Sequence, residues 1–75
     1  MIPHPDGLLP SEWADALSVV LHDASVPVYE HGMDWRGWAR GLLLTAGGVL
    51  DVPRDGDYDD FQAWARDLIR QNGGR

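Results

Sequence analysis

Two stretches decide the reading of this chain: VPVYEHGMDWRGWARGLL over residues 26–43 and VPRDGDYDDFQAWARDLI over residues 52–69. Aligned without a gap, they repeat at a period of 26 residues. Val26-Pro27 returns as Val52-Pro53, Asp34-Trp35 as Asp60-Phe61, Trp38-Ala39-Arg40 as Trp64-Ala65-Arg66, and Leu42-Leu43 as Leu68-Ile69. Self-similarity at a fixed period marks a supersecondary unit used more than once. In each unit the proline stiffens an extended approach by holding φ near about −65°. The aspartate then caps a helix whose apolar residues recur at 3.6-residue spacing. A degenerate earlier copy reads as Pro10 followed by Trp13-Ala14 and Leu17, with a shorter linker.

Outward from the repeat, the periodicity predicts three helices, over about 11–22, 34–46 and 59–71. Ser11 is the expected cap of the first, whose apolar face is Trp13, Leu17, Val20 and Leu21. The second carries Trp35, Trp38, Ala39, Leu42, Leu43 and Ala46. Met33 and Trp38 stand at the spacing of a hydrophobic staple, and Gly47-Gly48 ends the helix. Gly37 and Gly41 form a smooth stripe where another backbone can come close. The third helix carries Phe61, Trp64, Ala65, Leu68 and Ile69, with Gln62 placed to complete a capping box from Asp59, and Asn72-Gly73-Gly74 as its stop. The fold expected is mainly α, a small three-helix domain over 11–75 with short extended connectors. Residues 1–10, with three prolines and a glycine, read as an extended N-terminal arm apart from it. Pairing of the two Val-Pro segments as strands is the competing arrangement, and their prolines oppose it.

Length and composition narrow the function. A 75-residue chain holds one domain with a marginal core. It has no cysteine, so neither disulfides nor thiolate-bound zinc can reinforce it. Four tryptophans supply large core residues instead, and the same rings are favoured interface anchors. The formal net charge is −6, and its six cations are scattered arginines. That balance argues against direct nucleic-acid binding and suits a basic partner. No apolar run approaches the ~20 residues of a membrane span, and no signal peptide is expected at the N-terminus.

No constellation points to catalysis. Asp55, Asp57 and Asp59 alternate as in a calcium loop, but the twelfth position, which needs a bidentate glutamate, is Arg66. A solvated loop with a helix cap is the expectation there. His22, Asp23 and His31 have no spacing that fixes metal geometry, and no serine stands with a histidine and an orienting group. No enzyme activity, metal or cofactor is expected, and so small a core leaves little room for a pocket of the roughly 300 Å³ a substrate needs. Trp13, Trp38 and Trp64 are assigned to the core. Tyr29, Met33, Trp35, Arg36 and Phe61 are the candidate protein-interface residues. Arg36, Arg40, Arg66 and Arg70 are expected on solvated outer faces.

The Asp34-Trp35-x-x-Trp38-Ala39 unit and its Asp60-Phe61-x-x-Trp64-Ala65 copy resemble a pattern in small uncharacterised virion-associated proteins of tailed bacteriophages. The resemblance covers Val26 to Ile69. It implies a small structural or accessory protein of the virion, attached to capsid, head–tail connector or tail fibre. The implied partners are other virion proteins or copies of itself, with no direct nucleic acid and no membrane. The implied location is the virion, and the host cytoplasm during assembly. Such a subunit is expected to be weakly folded or oligomeric in isolation. The alternative is a phage-encoded acidic inhibitor of a host enzyme or defence complex.

Overall fold

A computed structural model describes residues 2–21, 26–30 and 32–73. Three helices form, α1 (Pro10–Val20), α2 (Trp35–Ala46) and α3 (Phe61–Gln71), with a single 3-10 turn at Asp55–Asp57. The mainly α, three-helix expectation stands, and no strand forms among the described residues. The helices expected over 34–46 and 59–71 match each other turn for turn, since Trp35 and Phe61 both occupy the first helical position, 26 residues apart.

Three expected caps change, and at α2 Asp34 holds the cap position but its side chain makes no cap hydrogen bond. α1 begins at Pro10, one residue before Ser11, because proline lacks the N–H that the first helical position cannot use. Its cap is Leu9, whose backbone N–H donates to Glu12 Oε1 at 2.8 Å. The Asp60 carboxylate accepts from Ala63 N at 2.8 Å and so caps α3 as expected. Gln62 does not turn back to Asp59. Its amide nitrogen reaches the carbonyls of Pro5 (2.9 Å) and Leu8 (3.4 Å), more than fifty residues away.

The repeat is threefold, and its first copy begins at Ile2-Pro3. In every unit the tryptophan at the fourth helical position donates its indole N–H to the carbonyl of the proline that opens the unit. The pairs are Trp13 to Pro3, Trp38 to Pro27 and Trp64 to Pro53, each 2.8 Å. Pro10 is therefore a helix-start proline and Pro3 the counterpart of Pro27 and Pro53. Residues 2–10 pack into the domain, where an arm apart from it was expected over 1–10. Ile2 and Pro5 are buried, and the segment plays the part that 26–33 and 52–59 play in the other units. The bond answers a physical need: a carbonyl held beside a core must be satisfied, and a buried indole must spend its N–H.

The three rings meet at the centre. Trp13, Trp38 and Trp64 have no exposed surface, and their centroids form a near-equilateral triangle of 5.7–5.9 Å sides. Every pair is edge-to-face, at 81–83°. This arrangement sets the positive edge of each ring against the negative face of the next, worth about 0.5–1.5 kcal/mol a pair beyond area burial. The alanine after each tryptophan and the leucine four residues on (Ala14 and Leu17, Ala39 and Leu42, Ala65 and Leu68) are buried around them. The chain's own rings close the core.

Candidate functional site

Two seams join the units, and each runs from the start of one helix to the extended segment of another unit. From α2 to the third unit, the Trp35 ring meets Trp64 at 5.8 Å. Arg36 Nη1 donates to the Asp55 carbonyl at 2.6 Å, and Nη2 donates to Tyr58 O at 2.9 Å. Arg40 Nε donates to Asp55 Oδ1 at 3.1 Å. From α3 to the first unit, the Phe61 ring meets Trp13 at 5.6 Å. Gln62 bonds the carbonyls of Pro5 and Leu8, and Arg66 Nη2 pairs with Asp6 Oδ1 at 2.9 Å. Three helical positions thus do one job each: the first stacks, the second clamps carbonyls two and five residues past the proline, and the sixth pairs with a carboxylate.

Arg40, Arg66 and Arg70 lie on exposed outer faces as expected, each paired with a carboxylate, and Arg36 departs from that expectation. Arg36 is a clamp, its guanidinium lying 4.6 Å from the Trp35 ring centroid as well. Arg40 and Arg66 join units, and Arg70 pairs with Asp67. Asp55 is buried, and its loop is tied down where a solvated loop was expected. Nothing lies within 4 Å of a Cβ added at Gly37, but one at Gly41 would lie 3.6 Å from the Pro27 ring. The close approach at Gly41 is therefore filled by the chain itself.

Of the five candidate interface residues, Phe61 is buried at 5 % exposure and belongs to the core. Trp35 is half-buried between Arg36 and the rings of Phe61 and Trp64. Arg36 is half-buried in its seam. Tyr29 packs against Trp38 at 6.0 Å and donates its hydroxyl to Met33 O at 2.8 Å. Met33 is exposed. The most exposed large hydrophobics among the described residues are aliphatic: Leu44 (86 %), Val28 (77 %), Val19 (75 %) and Val49 (70 %). Leu44 and Val19 fall off the helical stripes, which is the sequence signal that sets them apart.

A shallow depression of about 490 Å³ lies on the outer side of α3, lined by Tyr58, Ala63, Arg66, Asp67 and Arg70. It exceeds the volume expected of so small a core because it is an open surface hollow. Its polar groups are committed within the chain, Arg66 to Asp6 and the others to Asp67. Tyr58 donates to the Asp67 carboxylate, which also accepts from Arg70 Nε (2.6 Å) and Gln71 Nε2 (3.0 Å). The bond to Asp67 pushes the Tyr58 phenol up to about 12, and burial adds to it. The Tyr58 and Arg70 hydrogen bonds hold the Asp67 carboxyl below its ordinary range. No group of three metal-ligating side chains forms among the described residues. His22, Asp23 and His31 lie outside the described residues. No helix is long and apolar enough to cross a membrane among them. No protein-family model, curated protein or solved structure matches the chain.

Proposed function

We propose that the chain is a non-enzymatic protein-binding module, serving as a small structural or accessory protein of a tailed-bacteriophage particle. The observation that carries the binding role is how the side chains are spent. Trp13, Trp38, Trp64 and Phe61 go to the core, and the polar groups of the α3 hollow are tied to partners within the chain. The groups left open are exposed aliphatics and a surplus of carboxylates, which bind surfaces and do not make bonds. The virion assignment rests on the Asp-Trp-x-x-Trp-Ala resemblance alone. Mass spectrometry of purified particles tests it: the chain is expected at stoichiometric or near-stoichiometric abundance, and its absence from clean particles rejects the assignment.

A second reading, an acidic inhibitor of a host protein, is favoured by one observation. By register, Asp15 stands at the helical position that Arg40 and Arg66 hold, Glu30 stands three residues past its proline as Asp6 does, and both are exposed. That reading expects a monomer whose binding to one host protein weakens as salt rises. Affinity independent of ionic strength rejects it.

A further inference from the structure

Asn72 is the chain's only asparagine, and Gly73 follows it. That dipeptide carries chemistry of its own. The backbone nitrogen that follows an asparagine can attack the side-chain amide carbon, and glycine, with no Cβ, hinders the attack least. The Gly73 nitrogen bonds to Asn72 Cγ, the Cγ–Nδ2 bond breaks, and ammonia leaves carrying the proton that the nitrogen gives up. Water then opens the succinimide at either carbonyl, giving aspartate or isoaspartate. In the folded chain Asn72 does more than stop α3. Its Nδ2 donates to Asp51 O at 2.9 Å and to Leu68 O at 2.7 Å, and its Oδ1 accepts from Asp51 N at 3.0 Å. One side chain thus ties the last turn of α3 to the connector that carries Leu50 into the core. The same bonds hold the reaction off. The amide is turned to Asp51 and Leu68, and the Gly73 N–H, which must lose its proton to attack, donates to Arg70 O at 3.2 Å.

We infer that Asn72 is a self-modification site, and that its conversion is a one-way release of the connector from α3. Opening of the last helical turn gates the reaction, because helix ends open at a lower free-energy cost than the core. Conversion replaces the amide nitrogen with oxygen. A carboxylate only accepts, so the close contacts to the carbonyls of Asp51 and Leu68 turn from bonds into repulsions. The new anion also stands at the C-terminal end of α3, where the helix dipole opposes it, and it is added to a chain already at −6. The isoaspartyl product inserts a methylene into the main chain just before Gly73, whose φ of +85° closes the turn. Water is the only co-reactant, and no step in the chain's own chemistry restores the amide.

The test incubates the full-length chain at mildly alkaline pH, with and without denaturing urea. Mass spectrometry follows the amide-to-acid gain on the peptide that contains Asn72, and chromatography separates the isoaspartyl product. Conversion in urea is expected to run at least about tenfold faster than in the folded chain, because three hydrogen bonds must open first. Asn72→Gln is expected to stop the gain, since its longer side chain must close a larger ring. Asn72→Asp puts the product into an otherwise unaltered chain, and amide hydrogen exchange at Leu50 and Asp51 is expected to rise about tenfold or more. No conversion in urea removes the site. Equal rates in folded and unfolded chains overturn the gating, and unchanged protection of Leu50 and Asp51 in N72D overturns the release. Protection lost throughout N72D, and not at the connector first, also overturns a local release. The rate comparison uses the unaltered chain and decides the site and its gating whether or not N72D folds.

Discussion

Replacing Trp64 with phenylalanine isolates the device that closes each unit. The ring remains, but the indole N–H that meets Pro53 O at 2.8 Å is lost, in a bond buried from solvent. An orphaned buried carbonyl costs about 1–3 kcal/mol. The missing pyrrole edge removes roughly 40 Å² of burial, about 1 kcal/mol. It leaves a void of roughly 40 Å³ beside Trp13 and Trp38, about 1 kcal/mol more. The expected loss is about 3–5 kcal/mol, against a total stability of about 4–11 kcal/mol for a chain of this length. Trp35→Phe is the matched control. Trp35 is half-buried, and its indole N–H has no described acceptor, so the same chemical change is expected to cost about 1 kcal/mol. Urea denaturation followed by far-ultraviolet circular dichroism reads both. Equal losses at Trp35 and Trp64, or a loss at Trp64 below about 1 kcal/mol, would show that the indole-to-proline bond does not close the unit.

Three further outcomes are expected. Arg36→Lys lowers stability by about 1–3 kcal/mol, because one ammonium cannot bridge the carbonyls of Asp55 and Tyr58; Arg40→Lys, on a side chain 69 % exposed, changes it little. Gly7→Ala costs about 1 kcal/mol despite open space around it, since Gly7 holds φ at +76°, whereas Gly37→Ala, in ordinary helix with nothing within 4 Å, gains about 1 kcal/mol; paired urea melts decide both. Stability falls at both ends of the pH scale through the Tyr58–Asp67 bond. Tyr58 is raised, so its contribution is complete below 10.0 and is lost as pH rises towards about 12; Asp67 is lowered, so its contribution is present above its ordinary value of 3.8 and is lost as pH falls through its depressed one. Denaturation midpoints across pH are expected to lose the alkaline component in Tyr58→Phe, and retention of that component would remove Tyr58 as its source.

Much of the fold was legible along the chain. The 26-residue repeat located α2 and α3, and the aspartate before each marked its start. Burial of Trp13, Trp38 and Trp64 followed from their places on apolar stripes. What stayed hidden were the partners of polar side chains. Local pattern cannot separate a helix-start proline from the proline of an extended segment, so Pro10 looked like the counterpart of Pro27 until the Trp13 indole was seen to point at Pro3. Gln62 suited a capping box with Asp59 on spacing alone, yet carbonyls more than fifty residues away receive its amide. Phe61 and Trp35 occupy identical places in their units, and Phe61 is the more deeply buried of the two.

The sequence by itself determined three short amphipathic helices, each entered from a stiff extended segment and each carrying a tryptophan that must be hidden. Those properties come from neighbours within a few residues, where periodicity, caps and proline geometry act. Only the tertiary structure decided that the rings meet as a triangle, that the N-terminal residues complete a third unit, and that Arg36 and Gln62 clamp carbonyls of other units. An apolar stripe specifies a face to be covered but not what covers it. That choice is made between elements far apart in the chain, where ring shape and the need to satisfy buried carbonyls select one packing.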